Sequence, residues 1–257
     1  MKPRVSASPP SGYGRGHAGG TEIVAQSELL QSVMGVVRER TLYAYAAAQP
    51  TARILQGRGP VYVVPLPEGG PVVVVRHSRH GGLLAPITRD RFLRRTRAPA
   101  ELAISLRLAA LGIPTPTVVA YAVYPAGPGC STSDVATRLI EQAADLGAVL
   151  GGADQSIPRG EAVQAATALL VAMARAGVRH PDLNLKNILV ASTESDGVRA
   201  YLLDVDRVDI EHSRALAAAA NAARLVRSAT KWRERHGASI SDSELAALEA
   251  AALGQAP

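Results

Sequence analysis

The segment from His180 to Val190, together with the residues that follow it, restricts the fold of this chain more than any other feature. It reads His180-Pro-Asp182-Leu-Asn-Leu-Lys-Asn187-Ile-Leu-Val190, and Leu202-Leu-Asp204-Val-Asp206-Arg207 comes shortly afterwards. Asp182 and Asn187 are predicted to lie on a loop that leads into an apolar strand, and a polar turn and a second strand then lead to Asp204. This stretch therefore places two carboxylates and one carboxamide around a single loop and hairpin.

Asp182, Asn187 and Asp204 form a set that phosphoryl transfer requires. That reaction needs one carboxylate to orient or deprotonate the attacking hydroxyl, and an amide and a second carboxylate to hold magnesium. A single Asp in a loop usually caps a turn, so the prediction depends on the three residues together. Asp204 follows two leucines at a strand end, where we expect a carboxylate to need a metal or hydrogen bonds to compensate its burial. The set predicts a kinase-type site.

The composition narrows the class of partner. Of 257 residues, 47% are hydrophobic and 19% are charged, which is typical of a globular chain large enough for one domain or two lobes. The net charge of +6 favours anionic partners, but no Lys/Arg run is interleaved with aromatic residues, so we expect no nucleic acid. Cys130 is the single cysteine, which excludes an intrachain disulfide and a zinc site built from cysteines.

Nothing in the sequence predicts a membrane span or a secretory signal. There is no apolar run of about 18 residues, and no apolar segment follows the charged start Met1-Lys-Pro-Arg-Val. We therefore expect a cytoplasmic protein.

The periodicity of the chain predicts an α+β fold with a sheet-rich N-terminal half and a helical C-terminal half. Residues 1–20, which are rich in Pro, Gly and Ser, are predicted to be a disordered lead-in. We expect residues 21–141 to form an N-terminal helix and a sheet lobe, and residues 142–257 to form a helical lobe. The predicted strands are 61–64, 71–75, 118–123, 135–140, 188–190 and 198–203. Residues 27–48 are predicted to form one or two helices. The other predicted helices are 99–111, 160–176, 211–236 and 242–253, the last capped by Ser241 or Ser243.

The two acidic motifs resemble those of the lipopolysaccharide-kinase branch of the protein-kinase-like superfamily. They are most similar to the 3-deoxy-D-manno-octulosonic acid (Kdo) kinase family, which carries Asp-Leu-Asn in its catalytic loop and Asp-x-Asp-Arg/Lys in its metal loop. Four further motifs are similar to the same family: Gly57-Arg58-Gly59, Arg76-His77-x-Arg79-x-Gly81-Gly82, Gly112-Ile-Pro-x-Pro116 and Asn221-x-x-Arg224-Leu-x-Arg227-Ser228. The resemblance covers about residues 55 to 235. It implies a protein-kinase-like two-lobe fold with a sheet-rich N-lobe and a reduced, mainly helical C-lobe.

For the C-terminal half, the resemblance implies a role for each residue of the acidic motifs. Asp182 would be the catalytic base for a sugar hydroxyl, and Asn187 and Asp204 would coordinate Mg²⁺ on the phosphates of ATP. His180 would brace the loop, although a packed structural histidine is an equal alternative. Asp206 could be a second carboxylate at the metal or an Arg-paired structural residue, and the sequence does not choose between them.

For the N-terminal half, the resemblance implies a phosphate clamp. Gly57 and Gly59 resemble a reduced Gly-rich loop, although two glycines before a strand can also form an ordinary turn. Arg76 stands where a protein kinase has its phosphate-binding Lys, and Glu101 stands where the Glu that pairs with it belongs. The alternative for Glu101 is an exposed first-turn residue favoured by the helix dipole. Glu141 falls where the hinge segment would contact adenine.

The acceptor is the least determined part of the prediction. The basic set of Arg76, His77, Arg79, His80 and residues 89–97 would attract an anionic sugar or glycolipid such as Kdo-bearing lipid A, or else form a solvated loop. A glycolipid acceptor leaves peripheral contact with the inner membrane open. We expect an ATP-dependent kinase for a Kdo-type sugar. The alternatives are a kinase for a protein or an aminoglycoside-type small molecule, and a pseudokinase, for which Arg76 in the Lys position is the main argument.

Overall fold

The computed structural model of the chain describes residues 8–55, 59–78, 92–93, 96–193, 197–211 and 213–255. Two compact units are present. Residues up to Ala103 together with Thr117–Leu139 form the first, here called the sheet unit. Ile104–Pro116 and the residues from Ile140 onward form the second, here called the helical unit.

One antiparallel sheet organises the sheet unit. Its strands are β1 (Tyr13–Ala18), β2 (Thr21–Gln26), β3 (Arg53–Leu55), β4 (Val61–Pro65), β5 (Val72–His77), β6 (Phe92–Leu93), β7 (Val118–Pro125) and β8 (Cys130–Arg138). Among the described residues the strands follow the order β1-β2-β7-β8-β5-β4-β3, and β6 pairs with β8. The β-branched runs that predicted the central strands form β4 and β5, with Val63 opposite Val74.

Two short helices, α1 (Leu30–Glu39) and α2 (Leu42–Ala48), complete the core of the sheet unit. The apolar residues of α1 that are buried, Val33, Val36 and Val37, recur at helical spacing and pack with the valines of β4 and β5. Thr41 starts α2 because its side chain accepts a hydrogen bond from the backbone N–H of Ala44.

The predicted disordered lead-in is wrong for Tyr13–Ala18, which form β1 and pair along their whole length with β2. Gly14 and Gly16 are in close contact with the side chains of Leu30 and Met34 on α1. A Cβ atom at Gly14 would lie 2.7 Å from Leu30 Cδ2, so the glycines of this segment permit helix packing on the strand.

The helical unit is built around a second core. Helix α3 (Ala98–Ala110) crosses the boundary between the units along the chain, and its residues Ile104 and Leu108 belong to this core. The remaining helices are α4 (Leu146–Leu150), α5 (Arg159–Ala176), α6 (Arg214–His236) and α7 (Asp242–Ala252). Strands β9 (Ala143–Asp145), β11 (Ile188–Thr193) and β12 (Gly197–Leu202) form a small sheet in the order β12-β11-β9, and β10 (Val178–Arg179) pairs with β13 (Asp209–Ile210).

The ends of the helices follow local chemistry that the sequence already shows. Gly177 ends α5 in the left-handed conformation, at φ 68°, where a Cβ atom would lie 2.9 Å from the carbonyl oxygen of Glu211. Ser241 and Glu244 form a capping box at the start of α7, which confirms Ser241 as the cap. At Gly177 the chain leaves α5 and continues through β10 into the loop that carries Asp182.

The predicted boundary between residues 141 and 142 lies two residues from the break between Leu139 and Ile140. The structure departs from the predicted division by placing Ile104–Pro116 with the helical unit. Within the described ranges, none of the helices combines the length and the apolar character needed to span a bilayer.

Candidate active site

The loop between β10 and β11 is organised by His180, which is 1% exposed. Its Nδ1 lies 3.1 Å from the backbone nitrogen of Asp182, and its Nε2 lies 3.0 Å from the carbonyl oxygen of Leu203. Because Nδ1 accepts the hydrogen bond from the backbone N–H of Asp182, it carries no proton, and Nε2–H donates to the carbonyl oxygen of Leu203. The ring is therefore neutral, and burial lowers the pKa of His180. His180 therefore joins the two acidic motifs, which confirms the predicted bracing role.

Asp182 is held through its backbone while its side chain stays accessible. Its carbonyl oxygen accepts hydrogen bonds from Asn184 Nδ2 at 2.8 Å and from Asn187 Nδ2 at 2.9 Å. The side chain is 48% exposed, and its Oδ1 lies 3.8 Å from Nη1 of Arg224 on α6. A fixed backbone and an accessible carboxylate are what a base for an incoming hydroxyl needs.

Asn187 and Asp204 meet at the open end of the β11–β12 hairpin. Ile188 pairs with Leu202, and the backbone N–H of Leu203 donates to the carbonyl oxygen of Asn187 at 2.9 Å. Asp204 follows at once, so the chain positions that carry the amide and the second carboxylate are adjacent.

Asp204 differs in one respect from its predicted surroundings: it is exposed rather than buried. Its backbone is left-handed, with φ 54° and ψ 47°, a conformation that Asp adopts more readily than most residues. That conformation ends the strand sharply before the short helical turn Val205–Arg207. The expectation that Asp204 is buried, and needs a metal or hydrogen bonds to compensate that burial, is therefore wrong.

The donor atoms of these two residues fit magnesium. Asn187 Nδ2 is engaged by the carbonyl of Asp182, so Oδ1 is the amide atom left for a metal. One amide oxygen and an exposed carboxylate are hard ligands, and Mg²⁺ characteristically takes few protein ligands and keeps several waters. Among the residues that the structure describes, there is no group of three or more His, Cys, Asp or Glu side chains that could hold a metal ion.

The sheet unit brings Arg76 and Glu101 together. Arg76 lies near the end of β5, and its Nη2 is hydrogen-bonded to Oε1 of Glu101 in the first turn of α3. The side chain of Glu101 is only 5% exposed and that of Arg76 is 30% exposed. The predicted pairing is therefore present, and the alternative of an exposed first-turn glutamate is wrong.

His77 has a structural partner that the sequence did not suggest. Its Nδ1 lies 2.6 Å from Oδ1 of Asp134 on β8, which is fully buried. Oδ2 of Asp134 accepts from the backbone N–H of Tyr43 at 2.9 Å, so this carboxylate ties α2 to the sheet. His77 belongs to this network, and its place in the basic set predicted for the acceptor stays a prediction. Asp134 is the one carboxylate in β8, and it directly precedes Val135 and Ala136, which was the signal that could have revealed the pair.

Other predicted residues are placed as follows. Gly59 precedes β4, whereas Gly57 lies outside the described residues, as do Arg79, His80 and most of 89–97. Glu141 is exposed in the segment between β8 and β9. The roles predicted for Gly59 and Glu141 stay predictions.

Three residues of the C-terminal motif, which had no assigned role, contact the catalytic loop: Asn221, Arg224 and Ser228. Oδ1 of Asn221 accepts from the backbone N–H of His180 at 3.0 Å, and Ser228 Oγ accepts from that of Leu185 at 3.2 Å. Asn221 and Ser228, like Arg224, lie on α6, some 35 to 45 residues after the loop. Asn221, Arg224 and Ser228 are three and four residues apart, and this spacing was the signal in the sequence that they share one face of a helix.

The two units, taken one at a time, define a protein-kinase-like fold: a sheet-rich N-lobe with an Arg–Glu pair and a mainly helical C-lobe with the Asp–Asn–Asp motifs. A solved structure titled "WaaP in complex with acyl carrier protein" matches this fold with a TM-score of 0.54 and 16% identity, covering 91% of this chain and 89% of that one. The profile of the lipopolysaccharide kinase (Kdo/WaaP) family matches residues 64–250, and the chain belongs to that family.

Named relatives agree with this assignment. A 3-deoxy-D-manno-octulosonic acid kinase from Actinobacillus succinogenes is 32% identical over 194 residues, covering 74% of this chain and 79% of the relative. One from Xanthomonas oryzae pv. oryzae is 31% identical over 186 residues, covering 70% of this chain. This chain spans 64% of that relative, slightly less than two thirds of its length. The protein is therefore a phosphotransferase with an alcohol group as acceptor.

Proposed function

We propose that this protein transfers the γ-phosphate of ATP to a hydroxyl group of Kdo, or of a closely related sugar, in a lipopolysaccharide-type glycoconjugate. The observation that carries the proposal is the hydrogen-bonded unit of His180, Asp182, Leu203 and Asn187. Its hydrogen bonds join the loop that carries Asp182 to the end of the hairpin that carries Asp204. The curated relatives, in addition, bear the name of Kdo kinases.

In the proposed reaction, the acceptor oxygen forms a bond to the γ-phosphorus while the bond from phosphorus to the bridging oxygen breaks and ADP leaves. Asp182 accepts the proton of the acceptor hydroxyl. Its exposed carboxylate is open to a sugar, and its backbone is fixed by Asn184, Asn187 and His180. Holding the base within an ångström of its working position is a large part of catalysis of this kind.

Asn187 Oδ1 and the carboxylate of Asp204 are the ligands that would hold Mg²⁺. The ion, when bound with ATP, neutralises charge on the phosphate oxygens. Because Asp204 is exposed, its carboxylate is free of a desolvation cost until substrate arrives.

In the sheet unit, Arg76 would bind phosphate oxygens while Glu101 holds its guanidinium. An arginine can make both contacts because its planar fork offers five N–H donors, compared with the three of a lysine ammonium. Gly57 and Gly59 would let the backbone approach the phosphates, and the segment at Glu141 would contact adenine.

The acceptor that we propose is an anionic sugar on a glycolipid, met at the inner face of the inner membrane by a cytoplasmic protein. The net charge of +6 favours such an acceptor.

The test is a phosphate-transfer assay with purified protein, Mg·ATP and Kdo-bearing lipid A. Asp182→Asn is expected to lower kcat by about 10²- to 10⁴-fold because it removes the base. Asp204→Asn is expected to lower the rate and to raise the Mg²⁺ concentration that is needed. Asp242→Asn is the matched control, since its carboxylate is 98% exposed at the start of α7 and should leave the rate unchanged.

Equal turnover by wild type, Asp182→Asn and Asp204→Asn would overturn the proposed chemistry. Transfer to a protein or an aminoglycoside but not to Kdo would overturn the proposed acceptor and leave the proposed phosphate-transfer chemistry intact. A rise in Tm with ATP that does not depend on Mg²⁺, without transfer to any acceptor, would indicate a pseudokinase.

A further inference from the structure

One face of α6 lies along the catalytic loop. Asn221, Arg224 and Ser228 are spaced three and four residues apart, so they stand on the same side of the helix. Each contacts the loop at a different point: Asn221 at His180, Arg224 at Asp182 and Ser228 at Leu185. Asn221, which is 1% exposed, also donates from Nδ2 to the carbonyl oxygen of Val178 at 2.8 Å.

Asn221 and Ser228 bond to the loop backbone, whereas Arg224 faces a side chain, the carboxylate of Asp182. The distance from Nη1 to Oδ1 is 3.8 Å, and the two side chains are 43% and 48% exposed. The loop also contains Lys186, whose ammonium lies over the Trp232 ring at 5.6 Å from its centroid. Arg224 on α6 therefore brings a positive charge to Asp182 from outside the loop.

An ion pair this exposed contributes little to folding stability. Its geometry matters more than its strength, because the carboxylate of Asp182 must point at the acceptor hydroxyl and the Asp182 backbone bonds do not fix its χ angles. A misplacement of about 1 Å in a catalytic group can cost about 10²-fold in rate.

We propose that Arg224 is a positioning residue, whose guanidinium holds the Asp182 carboxylate in the orientation that accepts the proton of the acceptor hydroxyl. This inference rests on the proposed function, since it assigns a role within the same transfer reaction. Asn221 and Ser228 bind the helix to the loop on either side of Arg224, whose guanidinium lies beside Asp182.

The experiment compares Arg224→Gln, Arg224→Lys and the matched control Arg235→Gln, which removes the same charge from an exposed position near the end of α6. Arg224→Gln is expected to lower kcat by about 10²-fold while the KM for ATP changes by less than about threefold. Arg224→Lys should recover at least about tenfold of that loss, because it keeps the charge but not the fork. Both Tm values should stay within about 4 °C of wild type.

A second measurement asks whether Arg224 acts through Asp182. In an Asp182→Asn background, adding Arg224→Gln should change the residual rate by less than about threefold, because no carboxylate is left to position. A further loss of about threefold or more would show a role independent of Asp182 and would overturn the inference.

The remaining outcomes also decide the matter. An active wild-type protein in which Arg224→Gln turns over at the wild-type rate, or falls no more than Arg235→Gln, overturns this inference and leaves the proposed function intact. A wild-type protein without transfer to any acceptor overturns the proposed function, and the role of Arg224 falls with it.

Discussion

Removing the cation from the Arg76–Glu101 pair should destabilise the sheet unit more than removing the anion. The two ends of the pair differ in burial: the Glu101 side chain is 5% exposed and that of Arg76 is 30% exposed. Arg76→Met takes the guanidinium away from a carboxylate that water hardly reaches. Glu101→Gln leaves a guanidinium that water reaches in part and an amide oxygen that can still accept from it.

The magnitudes follow from this asymmetry. Removing one partner of a fully buried ion pair costs about 3–5 kcal/mol. Because Arg76 is partly exposed, water replaces some of what it supplied, and we expect Arg76→Met to cost about 2–3 kcal/mol. A hydrogen bond between Arg and a neutral amide is weaker than one to a carboxylate, so Glu101→Gln should cost about 1 kcal/mol. Arg76→Lys keeps the charge and should also cost about 1 kcal/mol.

Urea unfolding followed by far-UV circular dichroism measures these differences, and hydrogen exchange of β5 and α3 assigns them to the sheet unit. In thermal unfolding, Arg76→Met should lower Tm by about 4–12 °C. The double variant Arg76→Met/Glu101→Leu should recover most of the loss, since apolar replacements of a buried pair are often close to neutral. The reasoning is refuted if Arg76→Met costs no more than Glu101→Gln, or if the double variant is as unstable as the sum of the single ones.

Two further predictions concern the helical and sheet cores. The guanidinium of Arg159 lowers the pKa of Glu244 to about 2, so the stability from this carboxylate is present above its unfolded value near 4.5 and is lost as pH falls towards 2. Glu244→Gln should therefore cost about 1–2 kcal/mol at pH 7 and nothing near pH 2 in urea titrations; a difference that does not vary with pH would contradict this. Gly147→Ala should cost about 1–3 kcal/mol because its Cβ would lie 2.6 Å from the rigid ring of Trp232, whereas Gly35→Ala, with open space around it, should gain about 0.5–1 kcal/mol in the same assay. Equal effects at the two glycines would show that helix propensity, not packing, decides both.

Local patterns in the sequence predicted much of the fold. The β-branched runs of β4, β5 and β7 and the glycine and serine signals at Gly177 and Ser241 act over a few residues, so they are visible without tertiary contacts. The glycines of β1 misled the prediction for the opposite reason. Their function is to accommodate Leu30 and Met34 from a helix that the local pattern of residues 13–18 does not contain.

The candidate site divides in the same way. The sequence by itself determined which side chains are available for the chemistry, because Asp182, Asn187 and Asp204 follow one another around a single loop and hairpin. Only the tertiary structure decided their environments: it exposed Asp204, buried Glu101 against Arg76, and paired His77 with Asp134. It also brought Arg224 to Asp182 from a helix far along the chain. Burial and charge pairing depend on residues distant in sequence, and so the folded chain, not its local pattern, sets them.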